Sequence, residues 1–234
     1  MKILALDTAT ESCSAALLLE GVVSSREIEV ARGHAGLILT MIDELLSESS
    51  TPLRSLDAIA FGRGPGSFTG VRLAASVAQG LAFGAGLSVV PISDLRAVAQ
   101  RALPRVLTEN PSTRHTLVCN DARMNEVYWG CFTLDAAGLM LAAGPERVSK
   151  PIEVRLPQEW QGRAVSGLGR GFAAYQELRA HLGHQLGHID DTILPSACEI
   201  AQLAVAEVRS GHVLPPEAAV PVYLRDDVAR PKQY

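Results

Sequence analysis

Between an apolar run and a run of small residues, the chain carries Phe61-Gly62-Arg63-Gly64-Pro65-Gly66-Ser67-Phe68-Thr69-Gly70-Val71-Arg72, with four glycines in twelve residues. Backbone so poor in Cβ atoms either turns sharply or lies against other backbone, and few places in a fold allow it. Leu56 to Phe61 reads as a buried strand, and Val71 to Phe83 repeats apolar residues at helical spacing. The glycines therefore fall where a strand hands over to a helix N-terminus. Such a junction offers free N–H groups at the positive end of a helix dipole, which suits a phosphate or a carboxylate. The plainer alternative is a loop whose glycines supply positive φ and close packing, with Ser67 or Thr69 capping the helix.

Two sharper versions of the phosphate reading fail on the residues. The loop lacks the Gly-Lys-Ser/Thr ending of a P-loop, and no lysine lies nearby in the chain. Gly62-x-Gly64 is followed by Ser67 where a dinucleotide fingerprint needs glycine, and the loop does not follow the first strand. A P-loop NTPase and a Rossmann dehydrogenase are both disfavoured.

Ahead of the loop, Ile3 to Leu6, Ser12 to Leu19 and Val22 to Glu29 predict three strands, the last two hinged at Glu20-Gly21. A helix from about Ala35 to Ser47 follows, then the strand at 56–61, the loop, a helix at 71–84, a strand from Leu87 to Pro91 and a helix from Ser93 onward. Three antiparallel strands followed by alternating helices and strands predict a mixed-sheet α/β unit. Pro104 to His115, with Asn110-Pro111, is the expected linker. Beyond it, Thr116 to Cys119 and Glu126 to Leu134 read as strands around Asn120-Asp121-Ala122-Arg123, and Gly138 to Ala143 as another. Helices near Phe172 to His181 and from Ser196 to Ser210 complete a smaller half.

Two of these helices are apolar over an unusually wide arc. In the helix after the loop only Arg72, Ser76 and Gln79 are polar, and in Leu37 to Leu46 only Thr40, Asp43 and Glu44. One sheet face can hardly cover both arcs. The expectation is a subunit interface through Leu37, Met41, Leu45, Val71, Ala75, Ala78 and Ala82, the alternative being a larger core within the chain.

Composition excludes several classes. With 47% hydrophobic and 20% charged residues the chain is globular, and a formal charge of −4 without any basic run argues against tight autonomous binding of nucleic acid. Cys13, Cys119, Cys131 and Cys198 show no Cys-x-x-Cys spacing, so neither structural zinc nor a redox dithiol is expected. The apolar run at Met1 to Leu6 is too short for a signal peptide, and no segment approaches the roughly 20 apolar residues of a membrane span. A cytoplasmic location is expected.

Asp7-Thr8-Ala9-Thr10 ends the first strand where actin-like ATPases and sugar kinases hold phosphate and metal, with Ala9 standing where those families usually have glycine. An equally simple role is a turn whose Asp and Thr side chains bond the backbone. His181, His184 and His188 lie near Asp190 and Asp191, but Gly183 and Gly187 break any helix that would align them, so no metal site is expected. His34 stands alone, and no Ser-His-Asp arrangement can be argued.

Taken together, Ile3 to Thr10, His34, Gly64 to Arg72, Asp121-Ala122-Arg123 with Glu126-Val127-Tyr128, and Pro221-Val222-Tyr223-Leu224-Arg225 closely resemble the bacterial TsaB (YeaZ) family. The match runs nearly the whole chain, and the Gly-Pro-Gly-Ser-Phe-Thr-Gly block is specific. The resemblance implies a two-lobed actin-like (ribonuclease H-like) fold, with residues 1–104 as the first lobe, 105–234 as a smaller, degenerate second one, and the C-terminal tail returning to the first. It implies a non-catalytic partner of the transferase TsaD and the ATPase TsaE in making threonylcarbamoyladenosine in tRNA, homodimeric when alone, touching tRNA only through the complex. It leaves a vestigial nucleotide site at Asp7, Thr8, Thr10, Gly64, Gly66, Ser67 and Thr69, with weakly held ATP or ADP there or at the TsaD contact. Where TsaD has a His-x-x-x-His metal pair, the matching register here is Asp94-Leu95-Arg96-Ala97-Val98, which cannot replace two imidazoles. The alternative from another class is an actin-like ATP-binding or metallopeptidase-like enzyme.

Overall fold

The computed structural model describes residues 1–225. Strands β1 (Lys2–Asp7), β2 (Ser12–Leu19) and β3 (Val22–Glu29) form an antiparallel meander. Its second turn uses Glu20 and Gly21 at φ 49° and 89°, the paired left-handed conformation that matches the twist of a two-residue hairpin. Helix α1 (His34–Glu48) leads to β4 (Ala58–Gly62), and α2 (Phe68–Ala85) leads to β5 (Ser88–Ile92). The two strands add in parallel, giving the order β3-β2-β1-β4-β5.

From there α3 (Asp94–Glu109) crosses to a second sheet built from β6 (His115–Asp121), β7 (Val127–Leu134), β8 (Met140–Ala142), β9 (Arg147–Ser149), β10 (Val165–Leu168) and, after the short helices α4 (Gly171–Ala174) and α5 (Gln176–Leu182), β11 (His188–Asp190). Its order is β11-β10-β6-β7-β8, with β9 also pairing with β7. The last helix is α6 (Ala197–Arg209).

The first sheet is covered on both faces. Leu4, Leu6, Ile59 and Phe61 pack under α1 and α2, while Ile3, Ala5, Ala58 and Ala60 pack against Ile200, Leu203 and Ala204 of α6. Strands buried on both sides read as unbroken apolar runs, which is how β1 and β4 look in the sequence. Burying Ile200 and Leu203 completely contributes roughly 2 kcal/mol each, enough to draw this late helix back to the first sheet.

Two expectations change here. The linker expected from Pro104 is helical as far as Glu109, because Ala102, Leu103 and Val106 continue the face of α3 that packs on Val118, Phe132 and Leu168. That packing outweighs the hydrogen bond that Pro104 cannot donate.

The interface residues also move. Met41, Leu45, Val71, Ala75, Ala78 and Ala82 lie inside the chain's own core, and only Leu37 is partly exposed. The wide apolar arcs are met by the sheet, by each other and by a returning segment in which Ala219 is buried and Pro216 O accepts from Gln79 Nε2 at 3.1 Å. The outward side of these helices carries Gly36, Leu39, Ser76, Gly80, Phe83 and Gly84 instead.

Candidate functional site

A cleft of about 680 Å3 opens between the two sheets. One wall is the turn Thr8–Glu11 with His34 and the loop Pro65–Gly70, the other is Asn120–Arg123 with Tyr128, and Val222–Arg225 runs along the mouth. Of the residues expected at a nucleotide site, Thr8, Thr10, Gly66, Ser67 and Thr69 line this cleft, whereas Asp7 and Gly64 do not.

Several amides of the loop are spent within the chain. Gly64 N–H donates to Asp94, Ser67 N–H to Ala9 O at 2.7 Å, and Gly70 N–H to the capping Ser67 Oγ at 3.4 Å. Thr8 Oγ1 donates to Gly70 O at 2.7 Å, Thr10 Oγ1 accepts from Ser12 N–H at 3.2 Å, and His34 Nε2 lies 2.9 Å from Thr10 O. The glycines allow backbone to lie on backbone: a Cβ at Gly66 would stand 2.5 Å from Ala9 O, and one at Gly70 only 2.0 Å from Thr8 O. This is close packing of the loop on the β1–β2 turn, the plainer of the two roles open to it. Thr8 Oγ1 and the amides of Gly64, Ser67 and Gly70 are thus committed to the chain's own packing.

Beneath the loop, Asp7 and Asp94 form a carboxyl pair with no solvent exposure. A Cβ on Gly62 would lie 2.4 Å from Asp94 Oδ1 and 2.5 Å from Asp7 Oδ1, so glycine is required there. Burial pushes both carboxyls upward, and Asp94 well above the usual range because the charge of Asp7 adds to burial. Burial, and for Asp94 the neighbouring charge of Asp7, favour a proton held by the pair. The pairing is invisible in the sequence, where Asp94 at the first turn of a helix has the ordinary role of complementing the dipole.

Across the cleft, Arg123, Met124 and Asn125 hold φ of 61°, 54° and 58°. Three successive non-glycine residues in the left-handed region strain the β6–β7 turn by about 1 kcal/mol each. Asn120 is 6% exposed, and neither its Oδ1 nor its Nδ2 has a partner among the described residues. Arg123 pairs with Glu11 across the cleft at 3.2 Å, and away from it Arg170 pairs with Glu29 at 2.7 Å and Arg101 of α3 with Glu27 at 2.8 Å. Part-exposed pairs like these contribute a few tenths of a kcal/mol each, about 0.5 at most sites.

The three histidines go to separate partners. His181 Nε2 lies 3.1 Å from Val154 O, His188 Nδ1 pairs with Glu109 at 2.6 Å, and His184 is exposed. Asp190 pairs with Arg105, and Asp191 with Arg179.

Comparison with known proteins gives a consistent picture. Residues 21–232 match the family profile described as TsaD, tRNA N6-adenosine threonylcarbamoyltransferase. The chain is 40% identical over 231 residues to the tRNA threonylcarbamoyladenosine biosynthesis protein TsaB of Escherichia coli, covering 98% of this chain and 96% of the relative. Against TsaB of Haemophilus influenzae the identity is 39% over 235 residues, covering 97% and 95%. The solved structure of YeaZ from Pseudomonas aeruginosa superposes with a TM-score of 0.84 at 40% identity, covering 95% of this chain and 99% of that one. These likenesses agree with two mixed sheets flanked by helices in an actin-like arrangement.

Proposed function

The chain belongs to the TsaB (YeaZ) family, and on that premise we propose that it acts in tRNA threonylcarbamoyladenosine biosynthesis as a subunit without chemistry of its own. It binds TsaD, works with the ATPase TsaE, and orders the transferase for moving the threonylcarbamoyl group from its AMP ester to the adenosine beside the anticodon. It meets tRNA only through the complex, works in the cytoplasm, and pairs with a second copy when alone. Among the described residues no helix is long and apolar enough to cross a membrane.

The observation that carries the assembly role is the outward stripe of α2. Gly80 and Gly84 sit inside a helix, where each costs about 1 kcal/mol relative to alanine, yet a Cβ at either would meet nothing within 4 Å. The chain's own fold has no use for them. Beside them Phe83 is 79% exposed, and Leu39 on α1 53%. Small residues one turn apart, flanked by uncovered apolar side chains, suit close approach of a partner helix.

The non-catalytic half of the reading is supported by the packing of the glycine loop on the β1–β2 turn, and by a fully buried Asp94 in the register of the TsaD metal pair. Thr8, Thr10, Gly66, Ser67 and Thr69 are then the remnant of a nucleotide site.

The test is co-purification with TsaD of Gly80→Arg and Phe83→Glu variants. Each places a charge at the centre of the contact without touching the core, and should weaken the complex at least about a hundredfold, close to 3 kcal/mol. Thermal unfolding of each isolated variant should stay within about 3 °C of wild type. A complex retained at full affinity sinks the reading, as does full tRNA modification with the subunit omitted. Charges at Met41 or Leu45 would not serve, because they would unfold the core.

A further inference from the structure

The segment Pro221–Arg225 crosses the mouth of the cleft and is fastened on both sides. Toward the first sheet, Val222 N–H donates to Arg63 O at 2.7 Å. Gly64, at φ 100°, has room for no side chain, since its Cβ would stand 3.0 Å from Val222 O. The Tyr223 ring lies 6.1 Å from that of Phe68, and the Arg72 guanidinium sits 3.2 Å over Phe68 and 5.1 Å from Tyr223. Such cation–aromatic stacks hold even where the rings are half-exposed, as here.

Toward the second sheet, among the described residues, Arg225 makes the attachment. Arg225 donates to Glu126 Oε2 through Nε at 3.1 Å and Nη2 at 2.5 Å, and Nη2 also reaches Ala122 O at 3.1 Å. These acceptors flank the left-handed residues Arg123, Met124 and Asn125. A turn strained in this way persists only where its surroundings hold it, and the planar fork of Arg225 supplies that hold from outside the turn.

The cleft floor adds a second unrelieved feature. Asn120 lines the cleft with a buried amide donor and carbonyl acceptor that find no partner among the described residues. This arrangement thus carries a strained turn and, among the described residues, a carboxamide without a protein partner, and widening of the cleft would relax the first and expose the second. The tail opposes opening, together with the ion pairs from Arg123 to Glu11 and from Arg170 to Glu29.

We propose that residues 221–225 are a clasp that keeps the cleft narrow by pinning the β6–β7 turn, and that letting go of Arg225 relaxes the turn and widens the cleft around Asn120. The clasp is a property of the isolated chain and does not depend on any partner of α2.

Hydrogen exchange on the full-length chain reads it directly. Arg225→Ala should speed exchange of amides in 63–70 and in 121–126 by about tenfold or more, while α6 keeps its protection. Arg225→Lys should fall between, because an ammonium keeps the charge but not the fork. In a Thr10→Cys background, a maleimide should react with the cleft thiol about tenfold faster when Arg225 is replaced. If Arg225→Ala fails to fold, Tyr223→Ala, which removes only the stack, is read in the same way. Unchanged exchange, a rise confined to one wall, or a rise shared equally by α6 overturns the clasp.

Discussion

Gly70→Ala should lower folding stability by about 3 kcal/mol, although the same change at an unconstrained helical position is favourable. The added Cβ would stand 2.0 Å from Thr8 O, and that atom is backbone of the buried β1–β2 turn with no freedom to rotate away. Relief requires α2 to withdraw from the turn, which stretches both the Thr8 Oγ1–Gly70 O bond and the Ser67 N–Ala9 O bond, each 2.7 Å. Two buried hydrogen bonds at about 1 kcal/mol each, plus the strain of overpacking, give the magnitude. Ten residues along the same helix, Gly80→Ala meets nothing within 4 Å and should stabilise by about 1 kcal/mol. Urea midpoints of the two variants at constant m-value make the comparison. Equal shifts, or a Gly70→Ala protein as stable as wild type, would contradict the packing described for the loop.

Asp94→Asn should raise stability at pH 7 to 8 by about 2 kcal/mol and flatten its pH dependence. Both carboxyls of the pair are pushed above their ordinary range, Asp7 by burial and Asp94 further because the charge of Asp7 adds to burial. A carboxyl raised on folding contributes stability that is fully present below its unfolded value and is lost as pH rises through its folded value. Wild type therefore loses stability on the alkaline side of the carboxylate range, where the proton held by the pair leaves. Arg63 and His34 soften that loss by their attraction for Asp94 and Asp7 respectively. An asparagine keeps an oxygen for Gly64 N–H and offers Asp7 a neutral N–H donor, so it keeps the pair together while removing one of its two titrating carboxyls and the charge repulsion between them. Melting temperatures from pH 4.5 to 8.5 should converge at the acid end and diverge toward the alkaline end. A variant that is less stable than wild type at pH 8 would refute a proton held by the pair.

Much of the first sheet was legible in advance. The meander at 3–29, its turn at Glu20-Gly21, the strand before the loop and the helix after it all have strong local signals, either alternation, continuous apolar runs or glycine at a left-handed position. The second sheet was less so. β9, β10 and β11 span only three or four residues, too few for any periodicity, and their place is set by pairing with neighbours distant in the chain. The break at Tyr175 that separates α4 from α5 left no clear mark either.

The site was legible in part and for a definite reason. Residue types at the β1–β2 turn and in the glycine loop pointed to one place, and five of the expected residues do line one cleft. What the sequence could not show is where each polar atom is spent. Gly64 N–H goes to Asp94, thirty residues on, and Arg225 reaches Glu126 across ninety-nine. The apolar arcs of α1 and α2 were read correctly as arcs in need of cover. Their cover is mostly internal, since a helical wheel counts apolar faces without saying which neighbour meets them.

By itself, then, the sequence determined the strand–loop–helix junction, the mixed α/β class and the family, because these rest on local backbone preference and on a run of residues specific to one lineage. Only the tertiary structure decided that the glycines serve close packing, that Asp7 and Asp94 are buried together as a carboxyl pair, that the outward stripe of α2 is Ser76, Gly80, Phe83 and Gly84, and that residues 222–225 line the mouth of the cleft. Each of those depends on atoms brought together from distant parts of the chain, where burial and contact rather than local preference settle what a residue does.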